Sequence, residues 1–148
     1  MKTLISFILL IVSSVSFANS YCENDKEVDP EFPAGITGTY EIVGRLPNSN
    51  NAFSGALSID INKDSTAYIL KRTVAGETII GKAWIKRCSP DKFVVFSFEY
   101  KTVPAVYSGN CYLRFNGDNY YLISCYTWNE KDKEKETQHG LEAMFQNQ

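Results

Sequence analysis

The sequence predicts an all-β fold, a single antiparallel up-and-down β-barrel of about eight strands in meander order. Three observations predict it. Apolar and polar residues alternate with period two in short runs from Gly38 onward, turn-forming clusters separate the runs, and no segment sustains a 3.6-residue period. Eight antiparallel strands in simple succession lose both exposed edges by closing on themselves. A two-layer sandwich is the alternative, but its Greek-key crossings need long connections, and only the last link here is long.

The chain opens MKTLISFILLIVSSVSFANS. Lys2 gives a short positive segment, Leu4 to Val12 is almost wholly apolar, and Ser16 and Ala18 place small residues before a cleavage point. Residues 1–18 therefore read as a secretory signal peptide. Ser13, Ser14 and Ser16 interrupt the apolar run short of the roughly 20 residues a spanning helix needs, so a membrane anchor fits less well. Asn19, Ser20 and Tyr21 lack the apolar-then-small run of a lipid-anchored Cys22. The expectation is a secreted or periplasmic protein with no membrane association after cleavage.

Residues 19–37 are acidic and carry Pro30 and Pro33, which predicts an irregular lead-in. The barrel is assigned to residues 38–148. Gly38–Leu46 is its first strand, and PNSNN turns the chain into Phe53–Asn62. There Phe53, Gly55, Leu57, Ile59 and Ile61 share one face, and Ser54, Ala56, Ser58 and Asp60 the other. NKDS leads to Thr66–Val74, Ala75-Gly76 turns into Glu77–Lys86, and SPDK into Lys92–Tyr100. Thr-Val-Pro precedes Ala105–Phe115, NGD marks a hairpin into Asn119–Trp128, and Gly140–Phe145 is the last strand. The charged run NEKDKEKETQ before it is expected to be a solvated loop, with a turn of helix as the alternative. Gly44 and Gly55 fall on apolar faces, where a small barrel needs room and bending.

Charge names no partner. The net charge of −2 shifts by one, to near −3, when Lys2 leaves with the leader, and no basic patch suggests nucleic acid. Cys22, Cys88, Cys111 and Cys125 lie outside the leader; an even count in an exported chain predicts two disulfides, with three connectivities open. No spacing suits a zinc site, His139 is the single histidine, and neither metal nor cofactor is expected.

The succession GTYEIVG, FSGALSI, YIL, the paired Gly76 and Gly81, YSGNCYL and GLEAMF resembles small exported bacterial barrels of the avidin- and lipocalin-like kind. In that group a Gly-x-aromatic opens the first strand and a tryptophan-bearing strand lies close to the end. Trp128 matches the second feature, while Tyr40 stands where the first has tryptophan. The resemblance implies binding, either of a small apolar ligand inside or of a protein at the rim. On this layout Cys111 and Cys125 flank the NGD hairpin on one apolar face, which pairs them and leaves Cys22 for Cys88.

Catalysis is poorly supplied. No serine sits in a G-x-S-x-G turn, the cysteines are assigned to disulfides, and Asp60, Glu99 and Glu142 are scattered, so no enzyme is expected. Nine tyrosines, nine phenylalanines and two tryptophans suit binding better. The interior candidates are Tyr40, Tyr68, Arg72, Trp128 and Glu142. A buried Arg72 requires a counter-charge, for which Glu142 is the candidate; a flipped strand or a solvated mouth position are the alternatives. Trp84, Phe93 and Tyr112 are candidates for a surface aromatic patch. Three functions follow as expectations: a barrel holding a small, largely apolar ligand, an inhibitor or immunity protein acting through rim loops, or an interaction domain without a ligand.

Overall fold

The computed structural model describes residues 22–25, 27–29, 33–88, 93–101, 106–116, 120–131, 133–135 and 137–147. The proposed leader, the SPDK turn, Gly117 and Asp118 of the NGD turn, and the Thr-Val-Pro step lie outside them. A short strand, β1 (Cys22–Asn24), precedes eight longer ones: β2 (Gly38–Arg45), β3 (Ala52–Ile61), β4 (Tyr68–Val74), β5 (Glu77–Cys88), β6 (Phe93–Lys101), β7 (Val106–Asn116), β8 (Tyr120–Asn129) and β9 (Gly140–Gln146). Each of β2 to β9 pairs antiparallel with its sequence neighbours, and β2 pairs with β9 to close the barrel. Across that seam Tyr40 faces Gln146 and Arg45 faces Leu141.

Turn chemistry fixes the links. Ala75 and Gly76 both take positive φ, 50° and 82°, the pattern of a tight two-residue hairpin whose twist matches its strands. Between β3 and β4, Asn62 Oδ1 accepts from the amides of Thr66 and Ala67 at 2.8 and 3.1 Å. This bond keeps Thr66 and Ala67 in the turn, so β4 begins at Tyr68 rather than Thr66. Among its described residues the charged run contains a 3-10 turn, Lys133–Lys135.

Period-two alternation sends one face of every strand inward. Tyr40, Ile42, Ile59, Leu70, Phe96, Phe98, Tyr100, Ile123 and Met144 have no exposed surface. The glycines let these rings fit. Gly81 stands opposite Tyr100, Gly109 opposite Phe98 and Gly44 opposite Phe53, and in each case a Cβ would collide with the facing ring. Each of these three rings thus lies over a glycine on the next strand, and side chains fill the barrel.

The lead-in is more ordered than its composition suggests. β1 adds to β5 beyond Ala83, which stands opposite the first residue of β4, with Cys22 directly opposite Cys88. Cys88 is the last residue of β5, not part of the following turn. Val28 donates its amide to Ser65 O at 2.7 Å, and Ile36, 2 % exposed, joins the core at the end of the barrel where β2 begins. We call that end the base and the opposite end, carrying residues 46–51, 75–76, 130–131, 133–135 and 137–139, the mouth. The disulfides are Cys22–Cys88 and Cys111–Cys125.

Candidate functional site

The mouth end of the interior is polar, unlike the rest of the core. Arg72 on β4 and Glu142 on β9 point inward, 7 % and 2 % exposed, and Arg72 Nη2 donates to Glu142 Oε2 at 3.2 Å. The Arg72 guanidinium lies 4.6 Å from the Phe53 ring centre, 5.7 Å from that of Tyr107 and 5.9 Å from that of Tyr100. Ring faces carry negative charge density, so these aromatics partly replace the water that the cation has lost. The Tyr107 hydroxyl stands 2.9 Å from Thr127 Oγ1 and 3.5 Å from Glu142 Oε2; with one proton it donates to one of them at a time.

Burial dominates the ionisation of this group. Desolvation pushes Glu142 above the usual carboxylate range, although Arg72 and the Tyr107 hydroxyl pull the other way. Desolvation also drives Tyr100 and Tyr107 well above the ordinary phenol value, with the Glu142 charge adding to it. Three buried polar atoms of the cluster, Arg72 Nε, Tyr100 Oη and Glu142 Oε1, have no hydrogen-bond partner among the described residues. They comprise an obligate donor, an obligate acceptor and a hydroxyl that can do either.

The mouth loops are tied together above this cluster. Asn48, at φ 52°, accepts through Oδ1 from Thr137 N, Thr137 Oγ1 and Gln138 N, each at 3.2 Å. Its own amide donates to Gln138 O at 3.0 Å. Residues 46–51 are therefore held to residues 137–138, and Arg45 Nη2 donates to His139 O at 3.2 Å nearby. A Cβ on Gly140 would collide with Thr127 Oγ1 and crowd Pro47 Cδ, which brings the PNSNN loop close over the interior.

The sequence candidates distribute as follows. Arg72 and Glu142 meet at the mouth. Tyr40 and Tyr68 are interior residues of the base: Tyr40 Oη donates to Ile36 O at 2.6 Å, and burial pushes the Tyr68 phenol up to about 12. Trp128 is not an interior residue. Thr127 is wholly buried inside, so alternation turns Trp128 outward, where its indole Nε1 donates to Glu130 Oε1. Alternation identifies two residues that sequence reasoning left out of the cluster, since Tyr107 and Thr127 share parity with Cys111 and Cys125; it does not identify Tyr100, whose strand KFVVFSFEY is apolar on both faces.

The three surface aromatics do not form one patch. Trp84 is half-buried on the outside of β5, in a groove of about 350 Å³ shared with Ile69, Ile80 and Lys101. Tyr112, 67 % exposed on β7, borders a separate groove of about 550 Å³ with Tyr126, Leu141 and Val43. Phe93 stands opposite Cys88 in the β5–β6 register, and its side chain lies outside the described residues. Among the described residues no cluster of three or more His, Cys, Asp or Glu side chains could hold a metal ion.

No protein-family model, curated protein or solved structure matches the chain.

Proposed function

We propose that the chain is an exported, non-enzymatic binding protein that recognises another protein through the loops at the barrel mouth, as an inhibitor or immunity protein does. The observation that carries this reading is the filled interior: rings seated on facing glycines occupy the space in which a lipocalin-like barrel would hold a drug-sized apolar ligand, for which pockets of about 300–1,000 Å³ are typical. Recognition then falls to the surface, and the Asn48 bonds hold the mouth loops in one arrangement before any partner arrives. Two disulfides suit an oxidising compartment such as the periplasm or the exterior.

The test is a pull-down from periplasmic extract of the producing cells, run beside native mass spectrometry of the purified protein. Wild type is expected to retain a protein that is lost when residues 130–135 are replaced by a Gly-Ser segment. Equal capture by both forms, or a small-molecule adduct on the wild type, would overturn the reading. A second reading rests on the three unpartnered atoms at the mouth, which favour a small polar ligand rather than an apolar one. It expects an adduct that disappears in the Arg72→Met/Glu142→Leu variant.

A further inference from the structure

The outside of the barrel has two unlike halves. Across β3 and β4 the outward positions are mostly small or polar, including Ser54, Ala56, Ser58, Lys71 and Thr73, with Ile69 an apolar exception. Across β7, β8, β9 and β2 they include five exposed apolar side chains: Tyr112 and Tyr126 are 67 % and 64 % exposed, and Val43, Leu141 and Phe145 are 44–46 % exposed. Scattered apolar residues need no explanation, but contiguous ones on four neighbouring strands mark a contact surface. Closure leaves β2 to β9 with no free edge, so a partner on this half meets side chains rather than backbone.

The register shows what kind of partner fits. Three transverse rows cross the four strands. One runs Glu41, Phe145, Leu122, Arg114, from an acid on β2 through two apolar residues to a base on β7. The next runs Val43, Ala143, Ser124, Tyr112, and the third Arg45, Leu141, Tyr126, Asn110. A two-fold axis parallel to the strands, passing between β9 and β8, reverses each row onto itself. Glu41 of one copy then faces Arg114 of the other, Val43 faces Tyr112, Leu141 faces Tyr126, and the small pair Ala143 and Ser124 meet at the centre. Glu41 and Arg114 are both exposed, and neither has an ion-pair partner among the described residues. Three strand spacings separate them, about 14 Å at the usual 4.8 Å per strand. That span places two opposite-charge contacts symmetrically about an apolar centre.

We infer that this face is the interface of a two-fold symmetric homodimer, with its strands in near-aligned packing and a Glu41–Arg114 pair at each flank. The interface is isologous, so any single charge reversal acts twice. It does not rest on the role proposed for the mouth loops, which stand at the end of the barrel.

Sedimentation equilibrium of the secreted chain, with both disulfides formed, tests it. A concentration-dependent monomer–dimer equilibrium is expected. Glu41→Arg and Arg114→Glu should each raise the dimer Kd about ten- to hundredfold, and the double reversal should bring it back to within about threefold of wild type. Leu141→Asp, at an exposed position, provides a second variant that should abolish the dimer while leaving the melting temperature within a few degrees. A monomer at every concentration would overturn the inference. So would a dimer indifferent to all four variants, or single reversals that the double reversal fails to rescue.

Discussion

Arg72 of β4 and Glu142 of β9 meet inside the barrel, Nη2 to Oε2 at 3.2 Å, although β3 and β2 lie between their strands. The ion pair therefore spans the interior as well as the seam. Removing one partner leaves a charge in a place that water does not reach. Arg72→Ala is expected to cost about 3–5 kcal/mol, whereas Arg72→Met with Glu142→Leu should be near neutral or stabilising. Urea denaturation of the two variants checks both statements.

The same carboxyl makes stability depend on pH in a definite direction. Its folded pKa is raised above the ordinary 4.5, chiefly by desolvation. Between the unfolded and folded values the native state therefore binds the extra proton, and stability falls as pH rises through that window. Below about pH 4.5 the contribution is fully present. Glu142→Gln should remove this slope, so the stability difference, wild type minus variant, should shrink as pH rises from 4.5. Denaturation curves for both proteins at a series of pH values measure it.

Alkaline unfolding should follow the interior phenols. Tyr40, Tyr68, Tyr100 and Tyr107 are all raised above 10.0, each mainly by burial. Their neutral form is bound to the fold, so they contribute stability that is lost as pH climbs past 10. Absorbance of tyrosinate at 295 nm should show a late step that coincides with loss of near-ultraviolet circular dichroism. Titration of all nine tyrosines before that loss would contradict the burial described.

The ring-on-glycine pairs predict intolerance to the smallest possible addition. Gly109→Ala places a methyl against the Phe98 ring, and Gly55→Ala places one against the Thr73 carbonyl. The ring can tilt and the backbone cannot, so Gly109→Ala should cost about 1–3 kcal/mol and Gly55→Ala more. Thermal melts of the two variants order them.

Asn48→Ala should act locally. It removes three acceptor contacts to residues 137 and 138 at the exposed mouth. Hydrogen exchange at the Thr137 and Gln138 amides is expected to accelerate at least tenfold, with global stability changed by no more than about 1 kcal/mol.

Sequence alternation carried most of the architecture because one face of every long strand is buried. It placed Cys111 opposite Cys125, as the strand register has them, and it named Glu142 as the counter-charge for a buried Arg72, the pair that the structure shows, while leaving a flipped or solvated Arg72 open. Two features escaped it. β1 is three residues long, too short to show a period, and it is held by Cys22–Cys88 and by pairing with β5. The Asn48 contacts join residues 89 and 90 positions apart, which no local pattern encodes. The family resemblance places Trp128 inward, whereas the parity of Cys125 and Thr127 turns it outward. Parity was the better guide, since it follows from the pleat itself.

The β2–β9 seam also dictates when the molecule can become whole. Residues 40–45 wait for residues 141–146, roughly 100 positions later, before either strand has its second neighbour. Until then a growing or translocating chain is an unrolled ribbon with two raw margins, open to mispairing with its fellows. Completion is thus a terminal event, and oxidation of Cys111 with Cys125 can staple the β7–β8 hairpin before that final strand docks.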